Sequence, residues 1–145
     1  MLIASRRTTP AVLAVAAVIA VALTGCGGES VERTPVTAEM KTTALEQIAR
    51  DELPDYSAWE MIEIEDGIRY VTLSEGDGEV PWFDNEVRVH YRLWLTDGTL
   101  IDSTWPDGVP TPFEFQVGDT RRVIAGWHRI IREIHEGGAV LAVIV

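Results

Sequence analysis

A single cysteine, Cys26, in 145 residues rules out an internal disulfide, so the fold must be held by packing. Basic charge is also scarce. Twelve Lys+Arg stand against 23 Asp+Glu, giving a net charge of −11, and a chain that tracks nucleic-acid phosphates needs a basic face. No nucleic-acid partner is expected. The longest apolar run, residues 11–23, falls short of the roughly 20 residues that span a bilayer. His90, His128 and His135 are too widely spaced for a recognised metal motif, and the last two read as a solvated pair on one helix side. Asp77 and Glu79 beside Gly78 lack the calcium-loop pattern. A phosphate-cradling glycine loop and a serine elbow are missing too, so the expected chemistry uses no metal and no cofactor.

What the N-terminus does contain is an address. Arg6 and Arg7 precede the apolar run, the layout of a secretory signal peptide over residues 1–25. The run closes on Leu23-Thr24-Gly25-Cys26, which resembles the bacterial lipobox, and Cys26 is expected to become the lipidated N-terminus of an extracytoplasmic protein. Acyl chains contribute about 0.8 kcal/mol per buried CH₂, so two or three of them hold a protein on a membrane. Ser5-Arg6-Arg7 also resembles a twin-arginine signal, which leaves the export route open. Without residues 1–25 the apolar share falls to roughly 42% and the net charge to −13. That charge repels anionic lipid, so membrane contact has to come from the anchor.

Residues 26–36, with two glycines and a proline, read as a flexible tether. In residues 37–64, Met40, Ala44, Leu45 and Ile48 recur at helical spacing until Pro54 interrupts. This short helix with its linker suits either a packing appendage or a docking element. Beyond it, strand signals alternate with turns. Residues 67–73 are β-rich, Asp97-Gly98 marks a hairpin, and Phe113, Phe115 and Val117 share one strand face. Val87, Val89, Tyr91, Leu93 and Leu95 alternate with Arg88, His90, Arg92 and Trp94, predicting one strand with the first set buried. Trp127, Ile130, Ile131 and Ile134 form a helical stripe ended by Gly137-Gly138, and residues 139–145 are an apolar strand. The fold class expected is α+β, an antiparallel half-barrel sheet wrapped around one helix.

Five motifs then fall in order: Val89-His90-Tyr91, the run from Asp97-Gly98-Thr99 to Ile101-Asp102-Ser103, Pro112-Phe113-Glu114-Phe115, Val123-Ile124-Ala125-Gly126-Trp127, and, upstream, Glu75-Gly76-Asp77-Gly78. Each is weak alone, but together and with conforming gaps they are specific. Residues 65–145 resemble the FKBP-type peptidyl-prolyl cis-trans isomerases. The resemblance implies an apolar groove between helix and sheet that receives a prolyl side chain. Trp127 would be its floor, with Tyr91, Ile101, Phe113, Val123 and Ile124 as walls. Asp102 would lie beside the twisting carbonyl, with Tyr91 alongside as the second residue acting on the amide, and the Ile124 amide would bond the ligand backbone. Taken singly, Trp127 and Phe113 read as core and Asp102 as a turn residue. Only the joint motif points to a site. The resemblance further implies proline-containing polypeptides as substrates, macrolides as ligands, and a role in folding exported proteins. A non-catalytic peptide-binding or chaperone module is the alternative.

The departures from that pattern are specific. Arg92-Leu93 replaces the usual Thr-Gly, residues 119–122 form a connection one residue longer than common, and Arg129-Ile130-Ile131 stands where Glu-Gly-Val is usual. The family continues past the position of Val145 with an overhanging loop and a last aromatic strand, so the sequence is expected to be truncated there, or else completed by a partner strand.

Overall fold

A computed structural model describes residues 33–65 and 67–145, together with the backbone of two short N-terminal strands, β1 (Leu2–Ser5) and β2 (Ala16–Ile19). The remainder of the expected signal peptide and Cys26 lie outside the described residues. The first helix, α1 (Ala38–Ala49), begins where the Thr37 hydroxyl accepts a hydrogen bond from the Met40 amide at 3.3 Å. Glu39 in its first turn opposes the positive end of the helix dipole. Next come β3 (Ile62–Glu65), β4 (Ile68–Ser74), β5 (Glu86–His90), β6 (Arg92–Trp94), β7 (Leu100–Ser103) and β8 (Phe113–Gln116). Helix α2 (Ala125–Ile131) and strand β9 (Ala139–Ile144) follow.

In the unprocessed chain the strands form two sheets, ordered β1-β5-β8 and β3-β4-β9-β2-β6-β7. Strands β1 and β2 come from the expected signal peptide, while β3-β4-β9, β6-β7 and β5-β8 pair without them. Apart from the parallel neighbours of β2, the pairs within the two sheets are antiparallel. Helix α2 is embraced by residues of both. Trp127, Ile130, Ile131 and Ile134 are all buried and pack with Val87, Val89, Phe115 and Val117 from the smaller sheet and with Tyr70, Val140, Ala142 and Ile144 from the larger. This is the α+β arrangement of a sheet curved around one helix, the fold class expected.

Strand β9 shows why the α1 segment matters. All six of its residues are buried, because period-2 alternation sends Val140, Ala142 and Ile144 toward α2 and Ala139, Leu141 and Val143 toward the opposite face. There Ala44 and Ile48 of α1, with Trp59 and Met61 of the following loop, cover Val71, Leu73 and Trp94. A bridge between Thr34 and Trp59 closes this layer, with the Thr34 amide donating to the Ala58 carbonyl at 2.7 Å. The helical stripe of α1 is therefore spent within the chain, on the back of the sheet.

That second layer corrects one expectation. The nine-residue strand over Val87 to Leu95 divides at Tyr91 into β5 and β6, and beyond the break Arg92 and Trp94 are buried while Leu93 and Leu95 are only half-buried. Alternation continues, but the covered face changes, because α1 and its loop supply apolar cover behind β6. Strand β3 is an element the sequence reading placed in a linker. Its Ile62 is 59% exposed and only Ile64 packs against the α2 cluster, so the alternation of isoleucine with glutamate gives a weak core signal. Gly76 holds the turn after β4 against the end of the α2 segment. A Cβ there would stand 2.4 Å from the Glu136 carbonyl oxygen and 2.5 Å from the Gly138 nitrogen, both backbone atoms that cannot swing aside.

Candidate functional site

The residues singled out from the sequence converge at one end of α2. Ile124 is the N-cap of that helix and its carbonyl accepts from the Trp127 amide at 3.0 Å, which sets the indole one turn in, facing the sheet. Trp127 is only 6% exposed. Three rings meet it nearly edge-on: Tyr91 at 4.9 Å and 81°, Phe113 at 6.2 Å and 81°, and Phe115 at 6.0 Å and 69°. Tyr91 and Phe113 also meet each other edge-to-face at 6.1 Å. Such contacts place the positive edge of one ring on the negative face of the next and contribute about 0.5–1.5 kcal/mol per pair beyond burial. The result is an apolar cage with fixed ring orientations.

The mouth of the cage is polar on one side and apolar on the other. Pairing of β6 with β7 places Asp102 opposite Leu93, and the Tyr91 hydroxyl donates a hydrogen bond to Asp102 Oδ2. Asp102 Oδ1 accepts from the Ser103 amide at 2.8 Å. Burial, then the hydrogen bond to Asp102 and the negative charge on that carboxylate, push the Tyr91 phenol well above its ordinary range. It therefore remains a donor at neutral pH. Ile101 and Ile124 are exposed, at 53% and 50%, while Val123 is half-buried against the cage. Ile124, half in water at the start of the helix that carries the buried tryptophan, is apolar surface available to a ligand. Arg122 flanks Phe113, its guanidinium 5.4 Å from the ring centre, and donates to the Glu114 carbonyl at 3.2 Å.

Of the seven residues expected at the groove, Tyr91, Asp102, Phe113, Val123 and Trp127 are joined by these contacts, Ile124 caps α2, and Ile101 is the exposed neighbour of Asp102 on β7. Phe115 supplies a further ring, and Thr104 a support, that no role had been assigned. Thr104 Oγ1 accepts from the Tyr91 amide at 2.9 Å and lies 3.2 Å from His90 Nδ1, while the Thr104 amide donates to the Tyr91 carbonyl at 3.0 Å. A small hydroxyl residue two places beyond a carboxylate carries no distinguishing pattern, so only the tertiary structure reveals it. The histidines require a correction. His128 is not part of a solvated pair: it is buried, its Nδ1 accepts from the Gly118 amide at 3.0 Å, and its ring lies 5.7 Å from Phe115. His135 is exposed and hydrogen-bonds the Gly78 carbonyl at 2.9 Å. Among the described residues no cluster of three or more His, Cys, Asp or Glu is arranged to hold a metal ion.

Burial pulls His90 below its ordinary value, reinforced by the positive charges of Arg88 and Arg92. The unfolded chain therefore takes up this proton first as pH falls. The contribution of His90 to stability is complete above about pH 6.5 and is lost as pH drops below it. We expect the urea midpoint to decline from pH 7 to pH 5, and the decline to be shallower in His90→Asn. Equal slopes in the two proteins would remove His90 from this account.

Among the described residues, open cavities also lie elsewhere, one of 340 Å³ between β5 and β8 and one of 320 Å³ between the α1 segment and the β6–β7 turn. The first is walled mainly by the charged Glu86, Glu114, Asp119 and Arg122, and the second mixes Leu53, Pro54 and Tyr56 with Asp55, Ser57 and Asp97.

Comparison with known proteins points the same way. Residues 79–145 match the profile of the family described as FKBP-type peptidyl-prolyl cis-trans isomerase. The probable FKBP-type peptidyl-prolyl cis-trans isomerase FkpA of Neisseria meningitidis is 35% identical over 72 residues, which cover 50% of this chain and 25% of that protein. The Mip peptidyl-prolyl cis-trans isomerase of Coxiella burnetii is 32% identical over 71 residues, 49% of this chain and 29% of that one. The FKBP-type 22 kDa isomerase of Escherichia coli is 40% identical over 63 residues, 43% and 28% respectively. The chain thus spans between a quarter and a third of the length of these relatives.

Proposed function

We propose, from the match of residues 79–145 to the FKBP-type peptidyl-prolyl cis-trans isomerases, that the ring cage around Trp127 seats a prolyl side chain and speeds rotation about the peptide bond preceding it. The observation that carries this reading is the cage itself, three rings edge-on to one indole with the Tyr91–Asp102 pair at its mouth.

Rotation about a peptide bond is slow because the planar amide must give up its resonance, a barrier of about 18–20 kcal/mol. No bond is made or cleaved, so neither a nucleophile nor a cofactor is called for. The planar amide is more charge-separated than the twisted one. Moving it from water to an apolar groove disfavours the planar form relative to the twisted form, and only such a differential effect lowers the barrier. Trp127 is the floor of that groove, Tyr91 and Phe113 hold the ring from its sides, and Ile101, Val123 and Ile124 take the flanking residue. Asp102 lies beside the carbonyl that turns, where its negative charge favours the more electrophilic twisted carbon. The phenol of Tyr91 fixes that carboxylate. The Ile124 amide holds the substrate backbone while the bond rotates. Macrolides, which present a ring to the same cage, would compete.

A short proline-containing peptide tests this. The complete protein is expected to raise its isomerisation rate well above the uncatalysed rate, with a macrolide suppressing the gain. Binding without acceleration would support the peptide-binding module instead.

The location belongs to the same proposal. Residues 1–25 export the chain, and lipidated Cys26 holds it on the outer face of a bacterial membrane, where it meets exported polypeptides as they fold. The lipobox-like Leu23-Thr24-Gly25-Cys26 supports this. Replacing Cys26→Ser is expected to move the protein from the detergent phase to the soluble fraction. An unchanged distribution would remove the anchor.

A further inference from the structure

Tyr91 sits at the break between β5 and β6, where no ladder partner among the described residues fixes it. Its backbone is instead held from one side by Thr104, through the two bonds described above. The residues on either side of it in sequence are tied to the back of the sheet. The His90 ring lies 4.7 Å from that of Trp105, and the Arg92 guanidinium lies 4.1 Å over the same indole. Arg92 is 4% exposed. Its Nε donates to Asp51 Oδ1, and its Nη2 reaches the Ala49 carbonyl at 3.4 Å. Asp51 follows α1 in the left-handed region, φ 61°, and its own carbonyl accepts from Trp94 Nε1 at 3.3 Å. One residue at the end of α1 thus receives two side chains from β6.

A buried guanidinium is costly unless it is paired, and this one stands where the resembled family commonly has a small threonine. Its Nε and Nη2 are paired by Asp51, 41 positions away in sequence, and by the Ala49 carbonyl, while its Nη1 is buried without a partner among the described residues. The side chain of Tyr91 faces the cage and that of Arg92 the opposite way, so a shift of Arg92 moves the backbone that carries the phenol.

We propose that Arg92, clamped between Asp51 and Trp105, is a positioning residue that sets the Tyr91 hydroxyl against Asp102, which makes the α1 segment part of the working site. This rests on the isomerase reading of the groove, and the test separates the two. In the complete protein, Asp51→Ala is expected to lower peptide turnover roughly fivefold while leaving peptide affinity within about twofold, and to do nothing further in a Tyr91→Phe background. Asp51→Asn, which keeps an acceptor for Arg92, is expected to restore most of the turnover. Arg92→Met, which fills the same space without a charge, serves if Asp51→Ala does not fold, and should show the same dependence on Tyr91. A merely structural clamp would cost the same factor with either residue at position 91, and that result, or no loss at all, overturns the proposal. If the unmodified protein gives no acceleration, the isomerase reading fails by itself. The clamp is then read from the fluorine resonance of fluorotyrosine at position 91: a shift in Asp51→Ala sustains it, and an unmoved resonance overturns it.

Discussion

Trp127→Ala is expected to cost the domain about 3–5 kcal/mol and to abolish measurable binding of a proline peptide. The stability loss follows from position. The indole is buried within the cluster that joins α2 to both sheets, and three rings lose their edge-to-face partner at once. The loss of binding follows from shape, since the floor of the groove is then a void. Because an unfolded protein also fails to bind, the informative companion is Trp127→Phe. It keeps an aromatic floor at smaller volume, and the domain is expected to remain folded with weakened affinity. Chemical denaturation and peptide titration on the two variants check both halves. A Trp127→Ala protein that binds the peptide like wild type would place the groove elsewhere.

The second large effect is expected at Asp102. Its carboxyl is exposed, and its contacts are the Tyr91 hydroxyl and the Ser103 amide, so removing it should leave the unfolding midpoint nearly in place. The rate should not survive as well. A hydrogen bond to a charged group contributes about 1.5–3 kcal/mol, which corresponds to a loss of roughly ten- to a hundredfold in kcat/KM if it is felt mainly as the amide twists. Tyr91→Phe should lose less than Asp102→Ala, and the double variant should be no slower than Asp102→Ala alone, because the phenol acts through the carboxylate it holds. Additive losses would show that the two groups touch the substrate independently.

Much of this site is legible in the chain itself. Trp127, Ile130 and Ile131 announce the helix by spacing, although it ends at Ile131, short of the expected Gly137-Gly138, and Ile134 is buried in the segment beyond it. Phe113 and Phe115 announce a strand face, and the order of the motifs says that Tyr91, Asp102 and Trp127 belong together. What the sequence conceals is whatever depends on a distant layer. The residues after Tyr91 follow the same period-2 pattern as those before it, and only the α1 segment decides that Arg92 and Trp94, not Leu93 and Leu95, are the covered ones. Local pattern reports which residues share a face, but not which face finds a partner. His128 is hidden for a related reason. On a helical wheel it neighbours polar positions, yet the turn at Gly118 folds over it and uses its ring nitrogen as an acceptor. Strand β3 escapes because an edge strand with an exposed isoleucine carries a weak burial signal.

The most direct test of the groove is exchange spectroscopy on a proline peptide added to the isotope-labelled protein, which reads the cis–trans exchange rate and the responding protein resonances in one experiment. The account predicts exchange accelerated at substoichiometric protein. It also predicts shifts centred on the Trp127 indole, the Tyr91 and Phe113 rings and the Ile124 amide, and no such response to the same peptide with alanine in place of proline. Exchange at the uncatalysed rate, or shifts that gather elsewhere with those four residues unmoved, would contradict it.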